Sequence, residues 1–272
     1  GFFSGEPAKE RQPYTRTESA VLVSHNLIPW PIRVLTALCI YAGLREGEAC
    51  GRRWGDIDMG AEPLWSMDVA TQYGGRALKT KRPRVVPVHP ELAAILEDWG
   101  SNGFPDLMGR APTPEDFMVP YVSARARGGH HTRSTFYKAF VAGCAAAGIP
   151  CRSLHSTRHT MITLARRGGA RKEVLQRITH NAQGDIVDRY THLDWQPLCE
   201  AVVAIGSLFD ARPNAPLGGG SARETGAASD PCGRAIARGL LNSGSGEPTS
   251  IPGASTDSVT QRPAHSAGRL VL

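Results

Sequence analysis

No apolar run in this chain approaches the ~18 residues that a membrane-spanning helix needs, and no CxxC pair occurs among its six cysteines. The first absence removes a membrane partner from the expectation. The second removes a compact thiolate metal knuckle. Cys39, Cys50, Cys144, Cys151, Cys199 and Cys232 are widely scattered, several of them in apolar helical stretches, as reduced core thiols of a cytoplasmic protein would be. No signal peptide is visible, and the chain opens on Gly1, as an internal fragment would. No internal repeat is present.

What remains is a chain of 272 residues, 41% hydrophobic, with a formal net charge of +6. That content supports a core, and the basic balance suits a polyanionic partner, because Lys and Arg displace counterions from phosphates. Residues 1–20 are polar and read as a linker. Pro31 suits a first helical turn, and Ile32, Leu35, Leu38, Cys39 and Ala42 then recur at helical steps until Gly43. A short helix is expected over Glu46 to Arg53. The period then shortens, which predicts strands at Leu64 to Val69 and Arg84 to Val88 about a Gly74-Gly75 turn. Pro90 begins a helix that Gly100 should end, and 101–131 reads as a loop with an extended piece at 117–122. Helices are predicted over 132–147, 155–167, 171–179 and 195–209. Beyond Phe209 the Gly, Ser, Pro, Ala and Thr content predicts a disordered tail over 212–272. The fold class is therefore mainly α with a small antiparallel β-sheet, in one domain over 21–211.

Four stretches carry candidate chemistry. Gly43-Leu44-Arg45-Glu46-Gly47-Glu48 places Arg45 at a glycine-flanked helix break, where a guanidinium meets a phosphate without backbone obstruction; a surface ion pair is the plainer account. Lys79-Thr80-Lys81-Arg82-Pro83-Arg84 puts four cations at a hairpin tip, either a solvated turn or a basic finger for a nucleic-acid groove. In His155-Ser156-Thr157-Arg158-His159, the two histidines and Arg158 share one helical face. Histidines at i and i+4 also suit zinc, but Ser156 stands where a zinc protease needs its glutamate base. The last stretch is His180 followed by Arg189-Tyr190-Thr191-His192, where taken alone His180 is a helix cap and Tyr190 a half-buried aromatic.

Taken in order, these stretches resemble the tyrosine recombinases of phage-integrase type over about residues 25–210. Arg45, with Arg53-Trp54-Gly55-Asp56-Ile57-Asp58 behind it, resembles the family's first arginine region. Lys79 resembles its hairpin lysine, His155 and Arg158 its His-x-x-Arg motif, His180 its later histidine and Tyr190 its nucleophile. The resemblance implies that Arg45, Arg158 and His180 stabilise charge on the phosphate, and that Tyr190 forms a 3′-phosphotyrosyl bond. His155 would take or polarise the tyrosine proton and Lys79 would protonate the leaving 5′ oxygen. It further implies double-stranded DNA as partner, a homotetramer on that DNA, and no cofactor or metal. Family members carry an N-terminal clamp domain, for which the 20 residues before the catalytic region are too few. Two alternatives stay open at this point: a remnant that only binds DNA, and a type IB topoisomerase using a similar site.

Overall fold

A computed structural model describes residues 12–79, 82–123, 126–179 and 194–209, all within one compact unit. Its centre is helix α2 (Trp30–Tyr41), opened by Pro31 in its first turn. Every residue from Val34 to Tyr41 is buried, so α2 is apolar all round rather than on one stripe. Helices α1 (Arg16–Ser24), α4 (Pro90–Asp98), α6 (Arg133–Ala146) and α7 (Leu154–Arg167) pack around it.

Helix α1 starts inside the stretch expected to be linker. Thr15 caps it, accepting from the Glu18 N–H at 3.1 Å, while Glu18 Oε2 accepts from the Thr15 N–H at 2.7 Å. Tyr14 just before it is buried and stacks edge-on to Phe140. The Arg16 guanidinium donates to the carbonyls of Ser207 at 2.6 Å and Ile205 at 2.8 Å, tying the two ends of the described unit together.

After α2, Gly43 turns the chain at φ 61° into the short helix α3 (Glu46–Ala49). The helix expected to reach Arg53 ends earlier. Arg52, 1% exposed, instead turns its guanidinium onto the carbonyls of Asp68 and Thr71 and onto Asp56. Strands β1 (Ile57–Asp58), β2 (Ser66–Val69) and β3 (Arg84–Pro87) form an antiparallel sheet in that order, with Val69 opposite Arg84 and Met67 opposite Val86.

The helix of Pro90 does not stop at Gly100. A wider turn at Trp99–Gly103 carries it into α5 (Phe104–Met108), with the Trp99 indole N–H donating to the buried Met118 carbonyl at 2.7 Å. That tryptophan holds its place in the core more strongly than a glycine ends a helix. The extended piece also has a partner: β4 (Pro120–Ser123) pairs with β5 (Ala126–His130) in a second antiparallel hairpin.

Helix α8 (Lys172–Thr179) follows α7, and α9 (Trp195–Val203) is shorter than the 195–209 expected. Leu198, Ala201, Val202, Ile205 and Leu208 are buried in the chain's own core. No helix among the described residues is long and apolar enough to cross a membrane. The expected tail lies outside the described residues.

Candidate active site

A cleft of about 480 Å³ opens where α3, the β2–β3 connection, and the starts of α6 and α7 meet. Arg45, Lys79 and His155 line it, together with Glu46, Gly47, Gln72, Tyr73, Arg133 and Ser153. The cleft thus gathers three of the six candidate residues. Gly51 is part of the reason: a Cβ there would lie 2.5 Å from the backbone of Gln72, so only glycine admits the β2–β3 connection so close to α3. Leu78 is buried and anchors that connection, while Lys79 beside it is exposed to the cleft.

Arg158 lies beneath this surface, 3% exposed. Its Nη1 donates to the Gly43 carbonyl at 2.5 Å and stands 3.9 Å from Glu48. Its Nη2 is buried without a hydrogen-bond partner among the described residues. Burial first, then the positive charge of Arg45, lowers its pKa to about 9, against the opposing pull of Glu48. A buried guanidinium with an idle donor gains from any anion that reaches it. Ring centroids of His155 and His159 lie 4.9 Å apart, edge to face, one turn apart on α7. Both are half-buried.

Glu48 organises the cations and was not among the candidates. Its carboxylate, 1% exposed, accepts from the Arg45 N–H at 2.9 Å and Arg45 Nη1 at 3.0 Å. It also takes both terminal nitrogens of Arg84, at 3.2 Å and 2.6 Å. Burial alone would raise the Glu48 pKa, but the Arg84 hydrogen bonds and charge, the Arg45 N–H and Arg158 together bring it down to about 2. Its spacing of three residues from Arg45 was the available signal, since a Glu at that position reaches back to a helix's first N–H.

Arg84 corrects an expectation. It is not at a hairpin tip but turned inward, 5% exposed at its side chain. Its alternation with buried Val86 about exposed Val85 carried that signal. Arg133 was also missed; it is the first residue of α6, 73% exposed, and pairs with Glu46 at 3.0 Å. Only its place at a helix start marked it.

His180 and Tyr190 lie outside the described residues. In the last turn of α8, before His180, the carbonyl of Ile178 accepts from Arg84 Nε at 2.8 Å. Among the described residues no cluster of three or more His, Cys, Asp or Glu stands ready to hold a metal ion.

Comparison with known proteins agrees with this architecture. The XerC-like tyrosine recombinase of Caldanaerobacter subterraneus subsp. tengcongensis is 26% identical over 194 residues, covering 65% of this chain and 50% of that protein. A putative prophage phiRv2 integrase of Mycobacterium tuberculosis is 27% identical over 172 residues, covering 61% of this chain and 43% of its own length. Among solved structures, the integrase from mycobacterium phage Brujita superposes with a TM-score of 0.54 at 16% identity, over 78% of this chain and 63% of that one. The Tn1549 transposon integrase, solved in complex with a circular intermediate DNA, gives a TM-score of 0.52 at 17% identity, over 71% of this chain and 65% of that one. At such identities the structural likeness establishes the fold. This chain spans about half the length of the curated relatives it matches. The family model described as the phage integrase family matches residues 18–196, from α1 into α9, and the chain belongs to that family.

Proposed function

We propose that this chain cleaves and rejoins double-stranded DNA at a specific site, through a covalent 3′-phosphotyrosyl bond to Tyr190. The observation that carries the reading is the cationic cleft itself, with Arg45, Lys79 and His155 on its wall, together with the buried, idle Nη2 of Arg158, whose Nη1 binds the Gly43 carbonyl just before Arg45. A phosphodiester resists attack because its anionic oxygens repel nucleophiles, and the transition state gathers more charge on them. Arg45 and Arg158 present donors that are already oriented and partly desolvated, which stabilise that charge more than mobile water does.

In this proposal His180 adds a donor to the phosphate. Tyr190, with a free pKa of about 10, needs help to ionise, and His155 accepts or polarises its proton. Lys79 on the β2–β3 connection protonates the departing 5′ oxygen. The phosphotyrosyl bond conserves the energy of the phosphodiester, so a free 5′ hydroxyl reseals the strand without a nucleotide cofactor. Arg133 at the cleft edge holds a flanking phosphate, and a homotetramer bridges two duplexes. No step requires a metal, because the side-chain cations already neutralise the phosphate.

A nicked suicide duplex tests this. The 5′ end of the cleaved piece diffuses away, religation fails, and a denaturation-resistant protein–DNA adduct accumulates. The parent chain is expected to form it, and Tyr190→Phe to bind the same duplex without forming it. A parent chain that binds duplex in a salt-sensitive manner but never forms adduct would instead be a DNA-binding module.

A further inference from the structure

We infer that Arg84 is a positioning residue of this site, one that sets the first arginine and the end of α8 in register through a single rigid guanidinium. The inference rests on the recombinase reading above and adds to it a residue that neither DNA contact nor proton transfer would identify. All three of its side-chain nitrogens are engaged. Nη1 and Nη2 fork onto the two oxygens of Glu48 at 3.2 and 2.6 Å, and Nε donates to the Ile178 carbonyl at 2.8 Å. The other side of Glu48 holds the Arg45 N–H and Arg45 Nη1. The line Arg45–Glu48–Arg84–Ile178 therefore crosses from the α3 wall of the cleft to the last turn of α8. Two residues further along the sequence is His180, and Tyr190 follows ten residues after it.

The choice of arginine follows from the geometry. A guanidinium is planar, so its Nε and its two terminal nitrogens cannot move independently. A displacement of Ile178 is passed to the Glu48 carboxylate, and from there to Arg45, with little slack. A lysine would offer one nitrogen for three acceptors and a flexible stem. The side chain is 5% exposed and its partner Glu48 1% exposed, so water does not substitute for a lost contact. Arg84 also begins β3, the strand that ends the connection carrying Lys79. Among the described residues it thus stands beside the two segments, α3 and the β2–β3 connection, that carry Arg45 and Lys79 to the cleft.

The test compares Arg84→Met, which removes every contact, with Arg84→Lys, which keeps a cation against Glu48 and with it the fold. Single-turnover adduct formation on the nicked suicide duplex is measured at saturating protein and normalised to the folded fraction from urea titration. Duplex affinity is measured separately. Misplacing reacting groups by an ångström costs about 10²-fold in rate, so Arg84→Lys should cleave about 10²-fold more slowly while affinity stays within roughly threefold. Folded Arg84→Lys that cleaves at the parental rate overturns the inference, because a purely structural arginine would give that result. An Arg84→Met chain that fails to fold leaves the decision to Arg84→Lys. Amide exchange in the peptide covering 172–179 supplies a readout independent of activity. Exchange there should speed up by at least ~10-fold in Arg84→Lys as α8 loses its anchor, and unchanged exchange also overturns the coupling. A parent chain without adduct would defeat the recombinase reading, while the exchange arm would still decide whether Arg84 holds α8.

Discussion

Neutralising Glu48 should cost the fold about as much as breaking a buried ion network, and the cost should disappear in acid. Glu48→Gln keeps the shape of the side chain and removes the charge that three guanidinium groups surround. Each tenfold change in proton affinity is worth about 1.4 kcal/mol. The descent of the Glu48 pKa from 4.5 to about 2 therefore corresponds to ~3 kcal/mol of stabilisation by the ionised form. Breaking a buried pair by removing one partner typically costs ~3–5 kcal/mol, which agrees. Because the folded-state pKa is depressed, this stabilisation is fully present above 4.5 and is lost as pH falls through about 2. Urea unfolding of parent and variant side by side isolates it, since other carboxylates titrate equally in both. At pH 7 the midpoints should differ by roughly 1 M, for a urea slope of about 3 kcal/mol per molar. By pH 3 the gap should shrink to ~1.4 kcal/mol. A gap below ~1 kcal/mol at neutral pH, or one that persists undiminished in acid, would refute the role given to Glu48 as the anion at the centre of the site.

Arg158→Ala removes the idle buried donor and should slow adduct formation by ~10²–10³-fold with duplex affinity nearly kept; equal single-turnover rates would contradict its proposed place at the phosphate. Arg133→Ala should lower the slope of log affinity against log salt by about 1 while cleavage at saturating DNA persists, and an unchanged slope would remove Arg133 from the phosphate path. Gly43→Ala forces a Cβ onto a residue at φ 61° and brings it 3.2 Å from the Thr179 methyl. The expected loss is ~1–2 kcal/mol, read by thermal denaturation, and a variant as stable as the parent would show that the turn between α2 and α3 tolerates another conformation.

Much of the fold was legible because apolar periodicity and end signals agreed. Pro31 and Pro90 opened helices where expected, Gly43 closed α2, and the alternation over β2 and β3 marked the sheet. The departures share a cause, which is that long-range contacts outrank local signals. Trp99 docks onto Met118 and draws the chain past Gly100 without ending the helical path. Polar residues 12–20 looked like linker because Tyr14 and Arg16 find their partners at Thr160 and Ile205, far along the chain. The Thr15–Glu18 capping pair was readable and would have located α1.

In the site, Arg45, Lys79, His155 and Arg158 were candidates because their order along the chain resembles that of the tyrosine recombinases, and the structure brings the first three to one cleft. Glu48 and Arg84 could not be found that way. They are absent from the cleft wall and partner other groups of the chain, so only local pattern marked them: the three-residue step from Arg45 to Glu48 and the alternation of Arg84 with Val86. His180 and Tyr190, outside the described residues, rest on the resemblance of their sequence segments alone.

The whole proposed mechanism depends on Tyr190 as the nucleophile. Its most direct measurement is to trap the adduct on a suicide duplex, digest protein and DNA, and sequence the peptide that retains a nucleotide. A peptide spanning Tyr190 joined to a 3′ phosphate is the expected product. A nucleotide on any other residue, or a linkage to a 5′ phosphate, would contradict it.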